Sequence, residues 1–274
     1  MSISLDHTAI LGDTVEKIAF EKCGIIKDGG TTVLYGEQPE GVFEVVRNTV
    51  NERHNELMVA QTSDIRLISS GLEGSEFAFC SEVLNEGQEM NFRIPLIGEH
   101  QLKNAAAALY TASALRKNGI NISDESIQRG LSGTVFPARL ELLQKDPVIL
   151  LDGAHNPGGA AALSSAVREN LEDYDKTAIV GMLADKDVKT ALSLLVPLFD
   201  RVIAVSPDNP RAMTAEELAG IVSSYGVSVE SEHDLSAAYH KALAYTKKTD
   251  HSALVMFGSL YLAADLRKIA LADK

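Results

Sequence analysis

The chain has 274 residues, 45% of them hydrophobic and 23% charged, with 20 glycines and 8 prolines, a globular composition with length for one large domain or two ordinary ones. A formal net charge of −13 and the lack of a basic stretch exclude a nucleic-acid partner held by its phosphates, although a local Arg, Lys or Mg²⁺ can still neutralise a bound anion. Cys23 and Cys80 lack metal-type spacing and fit a reducing compartment, MSISLDH has no signal pattern, and no apolar run reaches the ~20 residues of a membrane span, so the reading is cytoplasmic with no membrane partner.

Taken in order, the chain opens with SLDHTAILGDTVEKIAFEKCGIIK, in which His7 follows a short β-like segment. Asp13 and Glu16 suggest a capping box at a helix start, and Glu21 and Lys22 fall in that helix's last turn before Gly24. TTVLYG (31–36) reads as a buried strand. PEGVFEVVRNTVNERH (39–54) reads as a helix with Val42, Val45, Val46 and Val50 on one face. Between 65 and 97, IRLIS, EFAFCSEVL and EMNFRIPLIG alternate between glycine-containing turns, a pattern of antiparallel strands. EHQLKNAAAALYTASALRKNG (99–119) is a strong helix stopped at Gly119, and Ser123 caps a further one.

From about 146 the rhythm becomes regular. VILLDGA, KTAIVGML, DRVIAVS, VSVE and SALVMFGS read as strands, each followed by a helical stretch of ten or more residues. That alternation predicts parallel β-α-β units in a doubly wound sheet, with a domain boundary near Lys145–Pro147.

LDGAHNPGG (151–159) is the most informative of the inner motifs. Asp152 ends a hydrophobic strand, and His155 and Asn156 occupy the turn before a helix, where open α/β sheets collect ligands and the helix amides favour phosphate. Asp, Asn and Gly also build turns for their own sake, whereas turn formation makes no demand for an imidazole. Arg139, in FPARLEL, can clamp a phosphate or can be an ordinary solvated or ion-paired arginine. Gln101 and Asn104, one turn apart, can read an adenine edge or bind neighbouring loops. Lys22 alone reads as a complement to its helix dipole, and a lone His7 as structural. Neither G-x-x-x-x-G-K-[ST] nor G-x-G-x-x-G occurs. The residues by themselves give a two-domain α/β protein with a phosphate-type crevice.

SLDHTAILGDTVEKIAFEKCGIIK, GEHQLKNAAAAL, FPARLE, LDGAHNP and GMLADKDV, in this order, resemble the folylpolyglutamate synthase/dihydrofolate synthase family of the Mur ligase superfamily over essentially the whole chain. The resemblance implies an α/β fold. Residues 1–145 would form the C-terminal part of a Mur-ligase-type ATPase domain, and 146–274 a Rossmann-like doubly wound domain. It implies that ATP phosphorylates a folate or pteroate carboxylate and that the amino group of L-glutamate attacks the acyl phosphate, giving an amide, ADP and phosphate. ATP and Mg²⁺ are the implied cofactors, with a monovalent cation as a further expectation.

Carried over by motif, His7 is the implied Mg²⁺ ligand and Lys22 the lysine that the family carbamylates. Asn104 is the implied adenine contact, Arg139 and Asp152 are ATP contacts, and His155 faces the reacting phosphate. Asn209, Arg211 and Ser259 are candidates for glutamate. The family's P-loop, substrate loop and other metal-ligating residues lie upstream of LDH and have no counterpart here. The expectation is therefore a C-terminal portion without turnover of its own. DNPR (208–211) also resembles an amino-acid-recognition motif of other Mur-type ligases, and a non-catalytic remnant or a partner subunit is the remaining alternative.

Overall fold

The computed structural model describes Ile3, residues 12–246 and residues 251–273. The chain divides into two compact units, one of Met1–Ser69, Ser75–Pro95 and Glu99–Thr134, the other of Ser70–Gly74, Leu96–Gly98 and Val135–Lys274.

In the first unit, helix α1 (Val15–Cys23) starts at Thr14, whose extended backbone lets its side chain accept the Lys17 N–H. The expected capping box on Asp13 and Glu16 is thereby corrected, since Asp13 instead pairs with the Lys17 ammonium at 2.8 Å. Ala19 and Cys23 of α1 pack with Val42, Val46 and Val50 of α2 (Glu40–Glu52) and with Leu34 of β1 (Thr31–Tyr35). β1 pairs in parallel with β2 (Glu56–Ala60), a strand too short to stand out behind its helix.

β3 (Ile65–Gly71), β4 (Gly74–Cys80) and β5 (Glu89–Ile94) follow as a three-stranded sheet in that order. β4 and β5 are antiparallel, with Phe77 and Phe92 stacked at 5.8 Å. The expected strand through EFAFCSEVL stops at Cys80. The chain there reverses through a short helix, α3 (Glu82–Asn85), closed by the Gly87 N–H donating to the Ser81 carbonyl. α4 (His100–Lys117) buries Leu102, Ala105, Ala106 and Leu109, and α5 (Asp124–Ser132) is capped by Ser123 as expected.

The second unit contains β6 (Glu141–Lys145), β7 (Val148–Leu151), α6 (Pro157–Asn170), β8 (Asp175–Val180), α7 (Val188–Leu195), β9 (Arg201–Ala204), α8 (Ala215–Ser223), β10 (Ser228–Ser231), α9 (Leu235–Thr246), β11 (Ser252–Phe257) and α10 (Leu260–Ala272). Its sheet runs β10-β9-β8-β11-β7-β6, parallel except for the antiparallel β6 edge. Because β6 pairs with β7, residues 135–145 belong to this unit, and the division falls at Thr134/Val135 rather than near Lys145.

The inner strands β7, β8, β9 and β11 are buried on both faces, so the two-residue side-chain period sorts them into two cores. Val148, Leu150, Ala253 and Val255 pack on the side of α6, α7 and α8, whereas Ile149, Leu151, Leu254 and Met256 pack against α9 and α10. β8, β9 and β10 step outward one way, and the chain then returns to insert β11 between β8 and β7. At such a reversal open α/β sheets bind ligands beyond the carboxyl ends of the strands, here those of β7, β11 and β8.

Candidate functional site in the second unit

Asp152 leaves the end of β7 with its backbone still tied to the sheet, its N–H donating to the Met256 carbonyl at 2.9 Å. One carboxylate oxygen accepts the Leu140 N–H at 2.8 Å and the other the Ala154 N–H at 2.7 Å. Burial holds this carboxyl above its ordinary value, against the pull of those two amides and of the charges on Arg139 and His155. The turn reading and the site reading therefore meet in one residue: Asp152 organises the crevice floor through backbone amides.

The first of those amides belongs to an unusual loop. Ala138 and Leu140, on either side of Arg139, both have left-handed backbones, at φ 56° and 46°. Each such non-glycine residue costs on the order of 1 kcal/mol or more, so the fold must hold the loop from outside. The Gly153 N–H does part of this by donating to the Ala138 carbonyl at 2.8 Å.

Gly153 also makes room for the charge. A Cβ there would stand 2.4 Å from Leu260 Cδ2 and 3.1 Å from an Arg139 guanidinium nitrogen. Arg139 thus lies across the Gly153 backbone, with its guanidinium carbon 5.7 Å from the Phe136 ring centroid. It makes no ion pair with a described residue.

His155 Nδ1 lies 2.8 Å from the Gly153 carbonyl. A carbonyl only accepts, so Nδ1 carries a proton, and whenever the ring is neutral Nε2 is the nitrogen with the lone pair. Asn156 then caps α6 by accepting the Gly159 N–H at 2.8 Å, with Pro157 in the first turn. Arg139, His155 and the amino end of α6 are brought together at one strand edge, and together they supply a bidentate cation, a hydrogen-bonding imidazole and the positive end of a helix dipole, with the Gly158 N–H as the first-turn amide not used by the cap. That donor set suits a phosphate.

Ser259 is 2% exposed and caps α10 by accepting the Leu262 N–H at 3.0 Å. Gly258 before it, at φ 124°, approaches Gly181 so closely that a Cβ would meet its carbonyl oxygen at 2.4 Å. Asn209 and Arg211 lie in the loop after β9. Asn209 Oδ1 accepts the Arg211 N–H at 2.9 Å, and the Arg211 guanidinium pairs with Asp185 at 2.7 Å.

The remaining candidates lie in the first unit or outside the described residues. Asn104 is exposed on α4 and donates to Gln101 Oε1 at 2.9 Å. Lys22 is half-buried at the end of α1, beside a groove of about 680 Å³ lined by Ala19, Ile25, Ile26 and Val33. His7 falls outside the described residues. Among the described residues no group of three or more His, Cys, Asp or Glu is arranged to hold a metal ion, and no helix is long and apolar enough to cross a membrane. Sequence reading passed over Gly153, Glu141 and Arg267. The last two stand 126 positions apart and form a forked ion pair, for which local sequence offers no signal.

Two family models match the chain, the Mur ligase middle domain over residues 1–112 and the Mur ligase glutamate ligase domain over residues 138–260. The dihydrofolate synthase/folylpolyglutamate synthase of Bacillus subtilis is 32% identical over 271 residues, covering 97% of this chain and 61% of that relative. The folylpolyglutamate synthase of Lacticaseibacillus casei is 30% identical over 275 residues, covering 99% of this chain and 61% of its own length. Among solved structures, the Mycobacterium tuberculosis folylpolyglutamate synthase complexed with ADP superposes with a TM-score of 0.82 at 26% identity, covering 98% of this chain and 62% of that one. The chain therefore spans about three fifths of the length of these relatives.

Proposed function

The chain belongs to the Mur ligase family, and from that premise we propose that it serves the ATP-dependent joining of L-glutamate to a folate or dihydropteroate carboxylate through an acyl phosphate. The observation that carries the proposal is Arg139, a guanidinium without an ionic partner among the described residues. It is held across Gly153 at the sheet's carboxyl edge, next to the LDGAH turn that carries His155 and leads into the amino end of α6. The likeness to a synthase that binds ADP supports a nucleotide as the anion.

In this reading Arg139 clamps phosphate oxygens with its planar fork, and the α6 amides add their dipole. Asp152 keeps the Arg139 loop and the LDGAH turn in register without having to touch the nucleotide. His155, with its proton held on Nδ1, presents Nε2 to the phosphate region and can accept a proton there or, once protonated, donate to a phosphate oxygen. Asn104 is proposed for the adenine edge. Asn209, Arg211 and Ser259 are proposed for glutamate, Arg211 exchanging Asp185 for a substrate carboxylate.

A divalent metal belongs to the proposal through His7 and a carbamylated Lys22. The described residues do not by themselves form its site. Since the sequence holds no G-x-x-x-x-G-K-[ST], we propose that the chain binds nucleotide without turning it over alone. The test is ADP titration of the chain and of Arg139→Ala, alongside folate- and glutamate-dependent phosphate release. Binding that weakens about tenfold in the variant supports the reading. Equal binding by both removes the phosphate clamp from it.

A further inference from the structure

The Arg139 loop needs external restraint, and its restraints are unequal. The Leu140 N–H is taken by buried Asp152, and the Ala138 carbonyl by the Gly153 N–H. The remaining group, the Ala138 N–H, donates to Glu141 Oε2 at 3.0 Å. Glu141 is itself gripped, with Arg267 Nε 3.0 Å from both of its oxygens and Arg267 Nη2 2.9 Å from Oε1. The Glu141 side chain is 15% exposed and that of Arg267 33%, so the pair is stronger than a solvated one and its geometry is fixed.

Arg267 comes from α10. The same helix places Leu260 against Gly153, next to the Arg139 guanidinium. One rigid element thus reaches the Arg139 assembly twice, at Gly153 through Leu260 and at the turn through Arg267 and Glu141.

We infer that Glu141 and Arg267 are positioning residues for Arg139. The Arg267 fork fixes the Glu141 carboxylate, the carboxylate holds the Ala138 N–H, and the left-handed turn so held aims the guanidinium across Gly153. The functional consequence rests on the proposed nucleotide reading, whereas the structural cause is independent of it. An ion pair that merely staples α10 to β6 would lower global stability and leave both the Ala138 amide and ADP affinity alone.

The experiment combines amide hydrogen exchange at Ala138 and Leu140 with ADP titration, on Glu141→Ala, Glu141→Gln and Arg267→Lys, each alone and with Arg139→Ala. Leu150 and Val255 serve as core references. Protection at Ala138 should fall about tenfold in Glu141→Ala while the references hold. Arg267→Lys, which keeps the charge but not the fork, should fall between wild type and Glu141→Ala, and with Glu141→Gln it gives a reading if Glu141→Ala does not fold. ADP affinity should drop in the Glu141 variants, and each double variant should bind no more weakly than Arg139→Ala alone. Unchanged Ala138 protection, or losses of ADP affinity that add, overturn the inference. If Arg139→Ala leaves ADP affinity at the wild-type value, the nucleotide reading fails, and exchange at Ala138 still decides the positioning.

Discussion

The carboxylate of Asp152 accepts the backbone N–H of Leu140 at 2.8 Å, so a residue at the end of β7 holds in place the turn that precedes β6. Its other oxygen holds the Ala154 N–H of the following loop. One buried side chain thereby registers the two motifs, FPARLE and LDGAHNP, that carry the candidate phosphate groups.

This arrangement makes Asp152→Asn a specific loss. The amide oxygen can accept one of the two N–H groups, and its NH₂ then faces the other. Stability should fall by about 1–3 kcal/mol in denaturant titrations. Retention of full stability would show that the two hydrogen bonds contribute nothing net.

Asp152 also sets a pH dependence. Burial raises its folded-state pKa above the ordinary 3.8, so between the two values the native state binds the proton that the unfolded state has released. Its contribution to stability therefore falls as pH rises through that window and is constant below it. The stability difference between wild type and Asp152→Asn should shrink from acid toward neutral pH. A difference that widens over the same range reverses the sign and refutes the burial argument.

Two glycines at the crevice should respond differently to alanine. In Gly153→Ala the new methyl meets the tip of Leu260, a side chain 46% exposed and free to swing aside, and crowds Arg139. Stability should fall by less than about 1.5 kcal/mol while ADP affinity drops about tenfold. In Gly258→Ala the methyl meets the Gly181 backbone at a φ of 124°, where no side chain can yield. A loss of about 3 kcal/mol or more, or failure to fold, is expected. Thermal melts of the two variants check the contrast.

Ser259→Ala removes the cap of α10 and should cost about 1 kcal/mol. ADP affinity should be unchanged, because the Ser259 hydroxyl is committed to the Leu262 amide. A drop in ADP affinity without a loss of stability would show that this hydroxyl faces ligand.

His155 should be found as the Nδ1–H tautomer when neutral, since Nδ1 faces the Gly153 carbonyl. Long-range ¹⁵N–¹H correlation spectra at alkaline pH read the tautomer directly. An Nε2–H signal pattern would mean that the ring is turned and that His155 does not present a lone pair to the crevice.

Much of this molecule was legible in its residues. The β-α-β rhythm after 146, the Ser123 cap, the strand at 31–35 and the placing of Asp152, His155 and Asn156 at a strand end are local or periodic signals, and local signals survive in sequence. β2 and α3 did not stand out, being too short to show a period. β6 was assigned to the wrong unit because only its antiparallel pairing with β7 recruits it to the second sheet.

The sequence by itself determined the alternation of apolar positions that buries both faces of the second sheet, and the polar turns at its carboxyl edge, because backbone period and turn chemistry are encoded within a few residues. Tertiary structure alone decided what those turns do. It brought Arg267 to Glu141 across 126 positions. It also set Gly153 beneath Arg139 and closed the Asp152 carboxylate on Leu140. The first contact depends on where β11 and α10 return in the sheet, and the other two on the antiparallel pairing of β6 with β7, pairings that no stretch of neighbouring residues specifies.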